Sequence, residues 1–182
     1  MNLCARIAVV ATAALFVSNA LAQGIEIKGI TLGEPESALE RIYPVPGCED
    51  VPTQFNVLGD RECRYPHSSY GGVDVQLTYY IFGGMIEAAY IYLKPDEFDA
   101  VIKAMQSRFG VPGSDRAEGV VTRAGVPYKN RLVSWKRGDG GIEGQRYSGT
   151  VSESVIRFFS SRYRAELAKR EAAKKKASAG DL

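Results

Sequence analysis

Apolar and polar positions alternate most clearly from Val73 to Ile81. Val73, Val75, Leu77, Tyr79 and Ile81 share one side; Asp74, Gln76 and Thr78 take the other. A period of two predicts a strand with one buried and one wet face. Gly83-Gly84 then predicts a tight turn built on positive φ values. On the return strand Ile86 is followed by Ala89, Ile91 and Leu93, and the step from 86 to 89 breaks the period. A β-bulge near Glu87-Ala88 restores it. The unbulged alternative turns Ile86, Ala88, Tyr90 and Tyr92 inward and exposes Ile91 and Leu93. Lys94-Pro95-Asp96 ends the strand, with Asp96 the expected N-cap of a helix. Phe98, Val101, Ile102, Met105 and Phe109 form a single stripe at helical spacing. Asp96, Glu97 and Asp99 favour its first turn, and Gly110 closes it as a left-handed cap before Pro112.

Weaker patterns flank this centre. Gly24 to Ile30 predicts a short strand, Thr31-Leu32-Gly33 a turn, and Glu34-Pro35 the start of a short helix carrying Ala38, Leu39, Ile42 and Tyr43. Pro44 stops that helix. Val45 to Tyr70 reads as an irregular loop. Later strands are expected at Gly119–Arg123 (short), Arg131–Lys136, Ile142–Ser148 and Val151–Ser160. The last is apolar on both sides and therefore central or covered. Strand, helix and stop at Tyr43-Pro44 echo strand, helix and stop at Gly110-Val111-Pro112, without a fixed repeat period. The expected class is α+β, with helices on one face of an antiparallel sheet. The expected order is β-α-(disulfide loop)-β-β-α-β-β-β plus a C-terminal helical tail.

The first 22 residues combine Arg6, an apolar run from Ile7 to Val17, and Ala20-Leu21-Ala22 before Gln23. That is the layout of an export signal cleaved at Ala22/Gln23, leaving a periplasmic or secreted chain. Domain limits follow: signal 1–22, one domain 23–161, basic tail 162–182. Cys4 leaves with the signal, and Cys48 and Cys63 remain as an expected disulfide. Closing such a loop stabilises by about 3 kcal/mol in the chain-entropy model. The formal net charge is +2, but it is unevenly spread. Residues 23–161 carry 15 Lys and Arg against 18 Asp and Glu; residues 162–182 carry 7 against 3. The tail cations Arg162, Arg164, Lys169, Arg170, Lys174, Lys175 and Lys176 are candidates for contact with an anionic membrane or cell-wall polymer.

Catalytic chemistry has no signature here. His67 beside Ser68 and Ser69 admits a hydrolase acting on an envelope polymer, but no G-x-S-x-G elbow accompanies it. One histidine and a cysteine pair outside C-x-x-C spacing do not make a zinc set, so no metal or cofactor is expected. Gly138-Asp139-Gly140-Gly141 and Gly144 lack the phosphate-loop arrangement and read as a hairpin turn. The acidic body and exported location disfavour nucleic acid. Tyr79, Tyr80, Tyr90 and Tyr92 all fall in the central hairpin, and at least two must lie on its outer side. They are a candidate protein-binding surface unless the tail or loops cover them.

Lys28-Gly29-Ile30-Thr31-Leu32-Gly33, then Leu39 and a helix stop, resembles the opening of small envelope domains. Bacterial outer-membrane-assembly lipoproteins of the SmpA/OmlA type begin so, as do the repeats of the secreted β-lactamase inhibitor protein. The resemblance covers Gly24 to Tyr43, with support from element order over Val73 to Gly110. It implies helices on an antiparallel sheet and binding of another envelope or secreted protein without catalysis. The chain departs from the lipoproteins in lacking a lipid-attachment cysteine. The expected role is a non-catalytic envelope accessory or inhibitor-like binding module.

Overall fold

The computed structural model describes residues 24–43, 47–52, 57–138 and 140–180. The expected export signal and the helix stop at Pro44 lie outside the described residues. A two-residue hairpin, β1 (Glu26–Ile27) and β2 (Ile30–Thr31), leads into a 3-10 helix, Glu36–Arg41. Four strands follow: β3 (Cys48–Asp50), β4 (Arg61–Tyr70), β5 (Val73–Phe82) and β6 (Met85–Leu93). Helix α1 (Phe98–Phe109) crosses over to four more: β7 (Ser114–Val121), β8 (Pro127–Arg137), β9 (Gly140–Gln145) and β10 (Ser154–Ser160). The chain continues directly into α2 (Ser161–Gly180).

All eight strands from β3 to β10 form one antiparallel sheet in the order β3-β4-β5-β6-β10-β9-β8-β7. The order is two four-stranded meanders joined where β6 pairs with β10. Each meander is preceded by a helix, so the echo in the sequence marks two topologically equivalent halves.

The central hairpin forms as its periodicity demands. Gly83 and Gly84 both take positive φ, 58° and 77°, which a two-residue turn matched to the strand twist requires. Tyr80 faces Ala88 while Ile81 faces Ile86, so Glu87 is the extra residue of the expected bulge. Ile86, Ala89, Ile91 and Leu93 consequently all point to the main core. There they meet the α1 stripe, of which Phe98, Val101, Ile102 and Met105 are buried. Gly144 on β9 admits this close packing, because a Cβ there would stand 3.2 Å from Ile102 and 3.3 Å from Phe98. Gly141 lies equally close to the Phe159 ring on the other face. The glycines that superficially suggested a phosphate loop thus form a hairpin end and two packing contacts.

Four expectations are corrected. The expected order β-α-(disulfide loop)-β-β-α-β-β-β gives way to a β1–β2 hairpin before the first helix, four strands before α1 and four after it. Val45–Tyr70 is not an irregular loop: it contains β3 and the ten-residue β4. A bulge between Tyr65 and Ser68 accommodates Pro66, which has no N–H to give a ladder. Asp96 does not cap α1; Glu97 occupies the N-cap position without a side-chain bond. The helices do not share one face. The 3-10 helix and α1 cover the main core, whereas α2 covers a second cluster of Tyr80, Phe82, Ala88, Tyr90, Val155 and Phe159 on the opposite side.

Cys48 and Cys63 are disulfide-bonded and stand directly opposite each other in β3 and β4, with Cα atoms 3.9 Å apart. The bond clamps a three-residue edge strand too short to hold itself. Replacing both cysteines by alanine is expected to destabilise the fold by about 2–5 kcal/mol, measured by urea unfolding. An unchanged midpoint would show that β3 needs no clamp.

Candidate protein-binding surface

Strand register fixes which side chains share the outer face, the one away from α1. One row crosses the sheet through Thr78, Tyr90, Arg157, Glu143 and Ser134. The next runs through Gln76, Tyr92, Val155, Gln145, Leu132 and Arg116. α2 lies over only part of this face. Its Tyr163 is 2% exposed, packs edge-on to Phe82, and shares a 2.8 Å hydrogen bond with the Tyr90 hydroxyl. Leu167 packs on the same cluster. Arg170 lies over the Phe82 ring at 4.3 Å and pairs with Asp60 at 2.7 Å.

The start of α2 is held by the bulge. Glu87 is buried there; it accepts a 2.5 Å hydrogen bond from Ser160 Oγ and pairs with Arg162 at 3.0 Å. Ser160 Oγ in turn accepts the Tyr163 backbone N–H at 2.9 Å, the geometry of an N-cap. The negative charge also suits the positive end of the helix dipole. Burial pushes the Tyr163 and Tyr80 hydroxyls far above the ordinary tyrosine range. At Asp60 burial acts in the same upward direction, but the Gly83 amide and Arg170 together hold the carboxyl below its usual value.

These contacts decide the fate of the candidate tyrosines. Tyr79 is on the inner face, fully buried, with its hydroxyl donating to the Ile27 carbonyl at 3.0 Å. Tyr80 and Tyr90 are on the outer face but buried under α2, and Tyr92 is half-buried, 3.3 Å from the Tyr80 hydroxyl. The row of exposed rings is therefore not formed; the tail covers it. Among the tail cations, Arg162, Arg164 and Arg170 pair with Glu87, Glu143 and Asp60 of the body. Lys169 pairs with Glu166 within α2, and Lys174, Lys175 and Lys176 are exposed further along the helix. His67 stands exposed on the β4 bulge and forms no hydrogen bond or ion pair among the described residues. No carboxylate is set beside it. Glu36 approaches Cys48 and Cys63, but disulfide sulfurs are not metal-binding thiolates.

The outer face of β7 and β8 carries no helix, and on β9 α2 reaches Glu143 through Arg164. Two depressions lie on it, both lined by Gln145. One, of about 290 Å³, is bordered by Ser114, Arg116, Leu132, Ser134, Glu143 and Arg157. The other, of about 710 Å³, is bordered by Val120, Val121, Thr122, Arg123, Tyr147 and Val151. Their shared wall is built firmly. Buried Asn130 exchanges two hydrogen bonds with the Tyr147 backbone, 3.1 and 2.9 Å, and Gln145 donates to the same carbonyl at 2.8 Å. Arg157 donates to Ser148 at 3.1 Å and stacks over Tyr90 at 5.6 Å. Reading the sequence placed the candidate surface on β5 and β6; Arg157, Gln145, Tyr147 and Val151 were missed. Their only signal is the alternation of inward Val133 and Trp135 with Leu132, Ser134 and Lys136 on β8.

Deleting residues after Ser161 removes Tyr163 and Leu167 and bares the second cluster, whereas ending the chain after Glu171 leaves every one of those contacts. The first truncation is expected to lower the thermal midpoint by about 10 °C or more, from loss of a buried aromatic worth about 3–5 kcal/mol. The second is expected to change it by under about 2 °C. Equal midpoints would show that α2 is not part of the packed structure. Compared with known proteins, the chain matches no family model, no curated protein and no solved structure.

Proposed function

We propose that this chain is an exported, non-catalytic module that binds another envelope or secreted protein through the outer face of its second meander. One observation carries the reading. α2 covers the middle of the outer face, over β5, β6 and β10, while the face of β7 and β8 stays open and combines arginine, tyrosine and valine around two adjoining depressions. Arginine and tyrosine are the residue types that most often anchor protein interfaces, because each offers area and hydrogen bonds at modest entropic cost. Rigid support from Asn130 and Gln145 lowers the ordering cost of binding. The disulfide suits an oxidising compartment.

The test is capture from envelope extract on immobilised protein, comparing the parent with Arg157→Ala and Val151→Asp. Both residues line the open depressions, and Val151 is 37% exposed. Each change is expected to reduce specific capture at least about tenfold, as loss of an interface anchor does. Circular dichroism should match the parent. Undiminished capture by both folded variants would reject this surface.

A second reading has its own observation. Arginines of the tail pair with the body, and α2 continues past Arg170 to carry Lys174, Lys175 and Lys176 at exposed positions. No described helix is long and apolar enough to cross a membrane, so contact with an anionic surface would be peripheral. Vesicles containing anionic lipid should retain the chain at low salt and lose it on Lys→Ala change at all three positions, with about 1 kcal/mol per lysine at stake. Retention that ignores the three lysines would discard the tail as the contact.

A further inference from the structure

The two ends of the sheet are treated differently. β3, at one end, is three residues long, charged and tied to β4 by the disulfide. Short, charged, clamped edges are how sheets avoid adding strands. β7, at the other end, is eight residues long, pairs with β8 without a register break, and contains no proline or bulge. Its residues are exposed apart from half-buried Val120, and no strand lies beyond it among the described residues.

The register shows which main-chain groups face outward. The hydrogen bond from Thr122 N–H to Val126 O extends the β7–β8 ladder, and Val121 faces Pro127, which has no N–H. Antiparallel ladders alternate, so Val120, Glu118, Arg116 and Ser114 direct their N–H and C=O groups to β8. Asp115, Ala117, Gly119 and Val121 direct theirs to the open edge. Arg116 and Glu118 lie on the outer face and form no ion pair with any described residue.

We propose that β7 is a self-association edge: two copies of this chain pair β7 to β7, antiparallel, about a two-fold axis at Ala117. An incoming copy must match outward-facing residue to outward-facing residue, which limits the axis to alternatives one residue apart. Centred on Ala117, the pairing sets Arg116 opposite Glu118 of the second copy, twice by symmetry. Shifted one residue either way, it sets Arg116 against Arg116 or Glu118 against Glu118. Opposite charges directly across strands stabilise and like charges destabilise, so the sequence selects one register. On the inner side this register opposes Ala117 to Ala117 and Asp115 to Gly119, which leaves room for both chains. It also brings Val121, 68% exposed, to the Gly113 end of the second copy, beside a Val111 that is 90% exposed. Two of the most exposed apolar side chains thereby meet at each end of the joint.

Sedimentation velocity over a range of concentrations tests this on the purified chain. The parent should form dimers. Arg116→Glu and Glu118→Arg should each weaken dimerisation at least about tenfold, and the double exchange should restore it. All three changes sit on exposed positions, and circular dichroism checks that folding is intact. Independently, Ala117→Cys should give a disulfide-linked dimer on oxidation, since the paired Cα atoms would lie about 5.5 Å apart. Gly119→Cys, whose copies would lie about 15 Å apart, should not. A parent that stays monomeric, single reversals without effect, failure of the exchange to rescue, or equal cross-linking at 119 would each overturn the proposal.

Discussion

The pairing of β6 with β10 is the contact on which the rest depends. Each meander alone ends in a strand, β6 or β10, whose inner face needs a cover and whose edge needs a neighbour. Six residue pairs from Ser154↔Leu93 to Phe159↔Ala88 close both edges at once and make a single sheet. That explains why β10 is apolar on both sides. Ile156 and Phe158 point to the core shared with α1, and Val155 and Phe159 point to the cluster under α2. It also places Ser160 beside the Glu87 bulge, so the chain leaves the sheet where a buried carboxylate can receive the first turn of α2. A strand joint, a bulge and a helix start are thus one construction.

The two faces are finished by different physics. The inner face is covered by apolar side chains of α1, the 3-10 helix and the β1–β2 hairpin, with Trp135 Nε1 donating to the Gly110 carbonyl at 2.9 Å to tie α1 to β8. On the outer face only Tyr163 and Leu167 of α2 are apolar contacts, and arginines do much of the remaining covering. Arg164 lies over Phe159 and Arg170 over Phe82, each at under 4.5 Å from the ring centre. Guanidinium groups pack on ring faces while pairing with carboxylates, so a tail that reads as merely basic becomes a lid over β5, β6 and β10. The acidic excess of the body is the complement of that tail.

This contrast accounts for what the sequence disclosed. The β5–β6 hairpin, its bulge and α1 were legible because one buried face imposes a clear period and Gly83-Gly84 admits little but a tight turn. β4 was hidden by Pro66 and His67, whose bulge interrupts its alternation, and by Glu62, a charged residue buried beside Arg64. β7 has no fully buried face, so only its end, within the expected strand Gly119–Arg123, showed in the pattern; the rest is a backbone ladder with β8. The sequence left open whether the candidate tyrosines are a surface or lie under the tail, because exposure depends on what lands on a strand. Tyr163 and Leu167 are too few to announce where α2 docks. The open face of β7 and β8 was missed for the converse reason: its character lies in residues brought together by register rather than by spacing.

The central claim is that the open outer face of β7 and β8 meets a partner while the middle of that face is covered by the chain's own helix. A photoreactive amino acid at Leu132, exposed to envelope extract and compared with the same group at Ala168 on the outside of α2, tests it most directly. Covalent capture of one defined protein at 132 and none at 168 is the predicted result. Equal capture at both positions, or capture at 168 alone, would contradict the account.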